Sequence, residues 1–263
     1  MSCLRRTGLL QAAPWLACAA WLAAPPAGFA QNGALPYDER ISWLSYNADH
    51  PAGRNWSLHF DGSYRPMYGA PWRQWLVRPG ANYQFSPRWQ LSLTYSYFSV
   101  HPNGLRDPDG VVGEHRLHQQ VEYSHPLGRN TMRHRFRMEE RWLSSPWREG
   151  EPRAWRWQDR PRYMLRVDRP FRDSSGRPRP VTLTFYDEIL VSFASPAASA
   201  FEQNRLYAGI NWRFSRHFSF DAGAFHMAFR PQNGGRLEHN IIFVTLLRNQ
   251  TPLKDLFAWL RRR

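Results

Sequence analysis

Apolar and polar residues alternate with a period of two along most of this chain. In 89–99, for example, large apolar side chains occupy every second position from Trp89 to Tyr97, with serine, threonine and glutamine between them. Because successive side chains of a strand point to opposite faces, such stretches predict half-buried β-strands. The stretch 40–47 fits either an extra strand or a lead-in segment. The pattern therefore predicts ten to twelve strands, ten of them at 54–65, 72–85, 89–99, 114–124, 132–143, 156–169, 181–193, 203–214, 217–229 and 237–247.

The fold class predicted from these strands is all-β, a single antiparallel up-and-down transmembrane β-barrel. After residue 30 no run of 18 apolar residues occurs, so a chain of this kind could cross a bilayer only as a closed barrel. The connections alternate in length, as in outer-membrane barrels with short turns at one end and longer loops at the other. The stretch 170–180 is an exception, because it falls at the short end but is long. The short connections include 86–88 and 215–217, and the longer ones are 100–113, 144–155, 194–202 and 230–236.

The first 30 residues are predicted to be a cleaved signal peptide. Arg5 and Arg6 precede an apolar stretch, and Gly28-Phe29-Ala30 supplies the small residues of a cleavage site. Both cysteines lie in this segment, so the mature chain would hold no disulfide and no thiolate metal site. Its removal lowers the formal charge from +14 to +12. For an exported protein, we expect the matching anions to be lipid phosphates, lipopolysaccharide or acidic oligosaccharides, and not nucleic acid.

The domain boundaries follow from these segments. Residues 1–30 form the signal peptide, 31–53 a lead-in or extra strand, 54–247 the barrel, and 248–263 a basic amphipathic tail. In the tail, Pro252 is expected to begin a short helix. Leu253, Leu256, Phe257 and Leu260 would share one face of that helix before the chain ends on three arginines.

Arginines dominate the polar face of several strands. A lysine or arginine turned to lipid at mid-bilayer would cost about 2–4 kcal/mol, so these residues must face the lumen if the barrel spans a membrane. Six predicted lumenal arginines would face five carboxylates: the arginines are Arg133, Arg135, Arg137, Arg141, Arg162 and Arg166, and the carboxylates are Glu114, Glu122, Glu139, Asp168 and Glu188. This near balance favours an ion-pair network that fills a narrow barrel, and the alternative is a narrow anion-preferring pore. The predicted lumenal residues are Glu114, Arg116, His118, Glu122, Arg133, Arg135, Arg137, Glu139, Arg141, Arg162, Arg166, Asp168, Glu188 and Arg205.

Two segments break the alternation. Asp187 is in phase with the apolar residues Phe185 and Ile189, and we expect a β-bulge to turn it away from them. In 217–229 the apolar residues change face, and a register slip near Gly223 would bring them together.

Signals for chemistry are weak. His118 shares a face with Glu114 and Glu122, the arrangement of a base with an orienting carboxylate. His115 and His118 lie three residues apart, which on a strand places them on opposite faces, so no metal site is predicted. No cofactor is expected, and the chain is not predicted to be an enzyme.

Five short motifs resemble a known family. They are Glu114–Gln120, Arg135–Arg141, Arg160–Tyr163, Tyr186–Glu188 and Asn204–Gly209. They are similar to the DUF2490 family of bacterial outer-membrane proteins, whose function is unassigned. The resemblance spans roughly 40–247 and implies an outer-membrane barrel with a charged lumen, but no substrate and no active-site residue. The tail beyond Leu247 departs from outer-membrane barrels that finish on their last strand.

Three functional hypotheses follow. The first is an integral outer-membrane barrel, structural or transport-related, in contact with outer-membrane lipid and lipopolysaccharide and inserted by the barrel-assembly machinery. Its lumen would admit at most a small anionic solute. The second is a soluble periplasmic barrel that binds an acidic ligand, with the aromatic face as its core. The third is an outer-membrane lipid-modifying enzyme that uses His118.

Overall fold

The computed structural model describes residues 41–66, 73–101, 110–146, 152–193, 201–230 and 236–260. These residues form eleven strands and one short helix. The predicted signal peptide 1–30, the residues 31–40 and the last three arginines lie outside the described residues. The elements are β1 (Ile41–Pro51), β2 (Trp56–Pro66), β3 (Arg73–Ser86), β4 (Trp89–His101), β5 (Val112–Leu127), β6 (Asn130–Ser144), β7 (Trp155–Arg172), β8 (Pro178–Val191), β9 (Phe201–Arg213), β10 (Phe218–Phe229), β11 (Glu238–Asn249) and α1 (Leu253–Leu260).

The eleven strands close into one barrel. Each strand pairs antiparallel with the next along the chain, and the barrel is completed by a parallel pairing of β1 with β11, from Ile41 opposite Ile242 to Ala48 opposite Asn249. The prediction of an all-β barrel of ten to twelve strands is confirmed, and 41–47 belongs to a strand. The all-antiparallel arrangement needs a correction at this one seam. An up-and-down series with an odd number of strands brings its first and last strands together in the same direction.

The two ends of the barrel differ in the length of their connections. At one end, here called the turn end, the connections are 52–55, 87–88, 128–129, 173–177 and 214–217. At the other, the loop end, they are 67–72, 102–111, 145–154, 192–200 and 230–237. Of the two shortest turns, 128–129 uses glycine at a positive φ, Gly128 with φ of 60°, whereas 87–88 consists of Pro87 and Arg88. This asymmetry matches the alternation of loop lengths in the sequence.

The stretch 170–180 is mostly strand, contrary to the long loop that its composition suggested. β7 runs to Arg172 and β8 starts at Pro178, so only five residues turn. One carboxylate oxygen of Asp173 accepts hydrogen bonds from the Ser175 hydroxyl at 2.7 Å and from the backbone N–H groups of Ser175 and Arg177. These bonds lower the pKa of Asp173. Asp173, Ser175 and Gly176 therefore form a tight turn here rather than a loop, and the prolines lie in the flanking strands.

The outer wall of the barrel is mainly apolar between its two rims. Leu93, Phe136 and Phe243 point outward at mid-strand and are 56%, 56% and 58% exposed. Within the described strands, arginines at outward positions lie within three residues of a strand end, as Arg73 and Arg169 do. The period-two pattern thus puts the apolar set outside and the arginine set inside.

Part of the interior is apolar, which the sequence had not indicated. Phe225, Met227 and Ile242 form a buried cluster with Ile41 and Tyr207. The register of β10 with both neighbours is continuous through Gly223. The predicted slip is therefore wrong: the second apolar face of 217–229 packs inside the barrel.

Asp187 also keeps its register, so the predicted bulge is wrong. The nearest irregularity in the pairing of β8 lies between Leu190 and Val191. The Asn204 side chain donates a hydrogen bond of 2.6 Å to the Asp187 carboxylate from the neighbouring strand β9. A cross-strand partner, rather than a change of face, makes this polar residue tolerable on the outer wall.

Two glycines allow one tyrosine to lie flat inside the barrel. Gly209 and Gly223 are directly opposite each other on β9 and β10, and the Tyr207 hydroxyl lies against both. The Tyr186 ring stacks on the Tyr207 ring with centroids 4.6 Å apart. A β-carbon at Gly209 would overlap the Tyr207 hydroxyl and lie 2.8 Å from the Ala222 carbonyl oxygen.

We expect Gly209→Ala to destabilise the barrel by about 1–3 kcal/mol, the usual cost of forcing extra volume into a packed interior. Gly62→Ala is the matched control, because its new β-carbon would meet only the Phe60 ring, at 3.5 Å. Urea unfolding of the two variants, followed by tryptophan fluorescence, measures the difference. Equal stability of the two variants would contradict the assigned packing of Tyr207.

The helix α1 follows β11 at the turn end and starts one residue after Pro252, as the sequence predicted. Leu253 and Leu256 are half-buried, whereas Phe257 is exposed. Among the described residues, no helix has the length and apolar character needed to cross a membrane.

Candidate functional site

All fourteen predicted lumenal residues occupy inward positions on β5 to β9, but they do not form one network. The structure divides them into a continuous group toward the loop end and separate pairs toward the turn end. The first group, here called the loop-end cluster, consists of Arg116, Arg135, Arg137, Arg141, Arg160, Arg162, Arg205, Glu114, Glu139, Glu188 and Glu202.

Glu114 and Glu202 are two of the four carboxylates of the loop-end cluster. Glu114 accepts two hydrogen bonds of 2.7 Å from Arg116 and also pairs with Arg141. Arg141 reaches Glu202 at 3.5 Å, and Glu202 in turn pairs with Arg160 at 2.6 Å. Each carboxylate is therefore shared between two guanidinium groups from different strands, which ties those strands together across the lumen.

Glu139 is the centre of the cluster. Its carboxylate is fully buried and accepts hydrogen bonds from Arg160 at 2.5 and 2.7 Å and from Arg162 at 2.5 Å. Arg162 also pairs with Glu188 at 2.6 Å, and Arg135 reaches the same carboxylate at 2.6 Å. A buried carboxylate is stable only when it is paired in this way.

Three arginines of the loop-end half are held mainly by neutral oxygens. Arg137 donates two hydrogen bonds to the Gln120 amide oxygen, at 2.6 and 2.9 Å, and lies 3.8 Å from Glu139. Arg205 donates its Nε–H to Gln203 at 2.6 Å and lies 3.5 Å from Glu188. Arg65, outside the cluster, donates its Nε–H to Ser63 at 3.2 Å.

The loop-end cluster is therefore strongly positive. Its described residues contain seven arginines and four glutamates, an excess of three positive charges, and Arg65 adds another. The near balance expected from the sequence does not hold here. Arg133 and Arg166, which belonged to that expected balance, pair with carboxylates toward the turn end. Arg116, Arg160 and Arg205 belong to the cluster instead.

The turn-end half contains pairs that are close to neutral. Four of the carboxylates in these pairs are bound by arginines and the fifth by a histidine. Four of the pairs lie toward the turn end, Arg133–Glu122, Arg166–Asp168, Arg248–Asp221 and His59–Asp49, and the fifth, Arg78–Asp61, lies near the middle of β2 and β3. The lumen is thus divided by charge along its axis.

Aromatic rings line the positive half. The Arg65 guanidinium lies 3.8 Å from the centroid of the Trp43 ring, and Arg205 lies 5.1 Å from the same ring. Arg116 lies 4.5 Å from the Phe98 ring. These cation–π contacts stabilise guanidinium groups that carboxylates do not fully neutralise.

His118 lies between a serine and a carboxylate. The Ser96 hydroxyl is 2.9 Å from His118 Nε2, and His118 Nδ1 is 3.3 Å from Glu139. The order resembles a nucleophile, base and acid, although the carboxylate is Glu139 and not the expected Glu114 or Glu122. The three side chains are at most 2% exposed, and two guanidinium groups already bind Glu139. In this arrangement the Ser96 side chain has no solvent-exposed surface.

Sequence reasoning missed several residues of the cluster. Arg160 could have been predicted from the sequence, because it lies on the same face of its strand as Arg162 and Arg166. Glu202 is the residue of β9 left unpaired at the register shift between Leu190 and Val191 of β8. No local sequence pattern indicates this shift. Ser96, Gln120 and Arg65 are ordinary polar positions on their strands, so only the closure of the barrel reveals what they contact.

No group of three or more histidine, cysteine, aspartate or glutamate side chains in the described ranges could hold a metal ion. A family model described as "Protein of unknown function (DUF2490)" matches residues 41–238, from β1 to the start of β11. No curated protein matches the chain.

Proposed function

The chain belongs to the DUF2490 family, and on that premise we propose that it is an integral outer-membrane barrel whose interior is largely filled by its own side chains. In this proposal, the outer wall faces lipid and the loop end faces the lipopolysaccharide leaflet. The protein reaches that membrane by means of its N-terminal signal peptide and the barrel-assembly machinery. The single observation that carries the proposal is the sidedness of the wall.

The composition of the outer wall supports a lipid environment. Apolar side chains at mid-strand, such as Leu93 and Phe243, are more than half exposed. Charged arginines at the same height point inward, for example Arg137, which is only 9% exposed. A soluble barrel would reverse this arrangement, with the aromatic residues in its core, because burial of apolar surface is what stabilises a protein in water.

Aromatic residues near both rims add support. Near the turn end, Trp56 packs on Tyr83 with centroids 4.8 Å apart, and Trp89 packs on Tyr123 at 4.6 Å. Near the loop end, Tyr64 packs on Trp75 at 4.3 Å. Transmembrane barrels carry such aromatic girdles at the two membrane interfaces.

The filled lumen favours a closed barrel over an open pore. Glu139, His118 and Phe225 are at most 2% exposed. The loop-end cluster and the apolar cluster together occupy the interior at the level of these residues. A structural or binding role is therefore better supported than diffusion of solutes.

Fractionation tests the proposal. We expect the protein to stay in the membrane pellet after extraction with carbonate or urea, and to migrate faster on gels when unheated, because folded barrels resist the detergent. Release into the soluble fraction with no heat-dependent shift would count against an integral barrel. In planar bilayers we expect no steady conductance, and a selective anion current would support the pore instead.

A further inference from the structure

The positive half of the lumen contains unused hydrogen-bonding capacity. The same hydrogen bond occurs on β2 and on β9, where an arginine donates its Nε–H to the side chain two residues earlier. Arg65 donates to Ser63, and Arg205 donates to Gln203. Anchoring at Nε leaves the terminal amino groups to point elsewhere. Among the described residues, Arg65 has no carboxylate partner, and Arg205 has Glu188 at 3.5 Å.

These two guanidinium groups lie close to each other. Both contact the Trp43 ring, at 3.8 and 5.1 Å from its centroid, although their strands, β2 and β9, are separated in the barrel by β1, β11 and β10. Two cations held this near each other repel one another unless an anion lies between or beside them.

We propose that the loop-end half of the lumen binds a phosphate group, held between Arg65 and Arg205 beside the Trp43 ring. The excess of three charges in the loop-end cluster, with Arg65 in addition, calls for an anion of more than one charge. A phosphate monoester carries about −1.5 to −2 near pH 7 and offers three acceptor oxygens. Two arginine forks can both bind it, because its oxygens are not confined to one plane as those of a carboxylate are.

The phosphate could come from a free solute or from a lipid headgroup at the loop end, and the second source rests on the proposed function. Arg133 supplies a matched control. It is a lumenal arginine near the turn end of β6 that pairs with Glu122 at 3.3 Å, whereas Trp43 lies near the loop end of β1.

The test is titration calorimetry of the folded full-length protein in detergent. Its ligands are inorganic phosphate, a short-chain phosphatidic acid, and acetate as the carboxylate control. We expect Arg65→Gln and Arg205→Gln each to weaken phosphate binding about tenfold, the effect of losing a charge-assisted hydrogen bond. Arg133→Gln should bind phosphate as the unmodified protein does. Heat-dependent gel mobility verifies that each variant is folded. If one of Arg65→Gln and Arg205→Gln does not fold, the other is sufficient for the test.

Weakening confined to the two loop-end variants supports the site. If it is seen with inorganic phosphate, the ligand is a free phosphate, and if only with phosphatidic acid, it is a lipid headgroup. Absence of binding, equal binding of acetate, or equal weakening by Arg133→Gln would overturn the inference. None of these results bears on carbonate extraction, so a failure here is distinct from a failure of the membrane proposal.

Discussion

Replacing Glu139 by glutamine is expected to destabilise the barrel by about 3–5 kcal/mol, the usual cost of removing one partner from a buried ion pair. The Glu139 carboxylate is fully buried and accepts hydrogen bonds from both Arg160 and Arg162. Glutamine keeps the shape but removes the charge, which raises the positive excess of the loop-end cluster by one. Urea unfolding in lipid vesicles, followed by gel mobility, measures the loss.

The neighbouring residue provides the control. Glu140 is on the outer face and accepts a hydrogen bond of 2.8 Å from Gln119 in an exposed position. We expect Glu140→Gln to change the free energy of unfolding by less than about 1 kcal/mol. Removing Arg160 together with Glu139 should recover only part of the lost stability, because the guanidinium that Glu139 neutralised is also removed, but Glu202 then keeps only Arg141, at 3.5 Å. If both single variants were equally stable, Glu139 would not have the central role assigned to it.

Leu93→Arg is expected to cost about 2–4 kcal/mol if the outer wall faces lipid, because the new guanidinium would lie at mid-bilayer. Leu93 is the fifth residue of β4, well inside the strand, and is 56% exposed. In water the same change at an exposed position would cost almost nothing. The amount of protein assembled in the membrane fraction and its stability in vesicles both report the effect.

Leu127→Arg introduces the same side chain at a strand end. Leu127 is the last residue of β5, at the turn end, and is 49% exposed. At that depth an arginine costs only about 0–1 kcal/mol. A large difference between the two variants therefore measures depth in a bilayer and not the loss of leucine. Two variants that behave alike would favour the soluble barrel.

The faces of the strands were predictable because their cause is local. Alternation at Trp89–Tyr97 or at Arg133–Arg141 is fixed by the pleat of a single strand, so the sequence alone separates the outer wall from the lumen. The same argument failed at Asp187 and at Phe225. Asp187 is a polar residue on the outer face and is accommodated by Asn204 on the neighbouring strand. Phe225 is an apolar residue on the inner face and is accommodated by the buried cluster of β1, β9, β10 and β11.

The composition of the loop-end cluster was not predictable for a related reason. Which carboxylate meets which arginine depends on register and closure around eleven strands. A shift of one residue exchanges the two faces of a strand. The expected balance of six arginines and five carboxylates counted the right kind of residue, but it could not show that Glu122 and Asp168 pair near the turn end while Glu202 joins the positive half.

By itself, the sequence determined the strand content, the class of fold and the side on which each strand carries its charge, since these follow from periodicity within single strands. Only the tertiary structure decided the eleventh strand with its parallel seam, the apolar cluster inside the barrel, and the separation of the lumen into a positive and a nearly neutral half. Those features arise where residues far apart in the chain are brought opposite each other, and no local pattern encodes the register that brings them there.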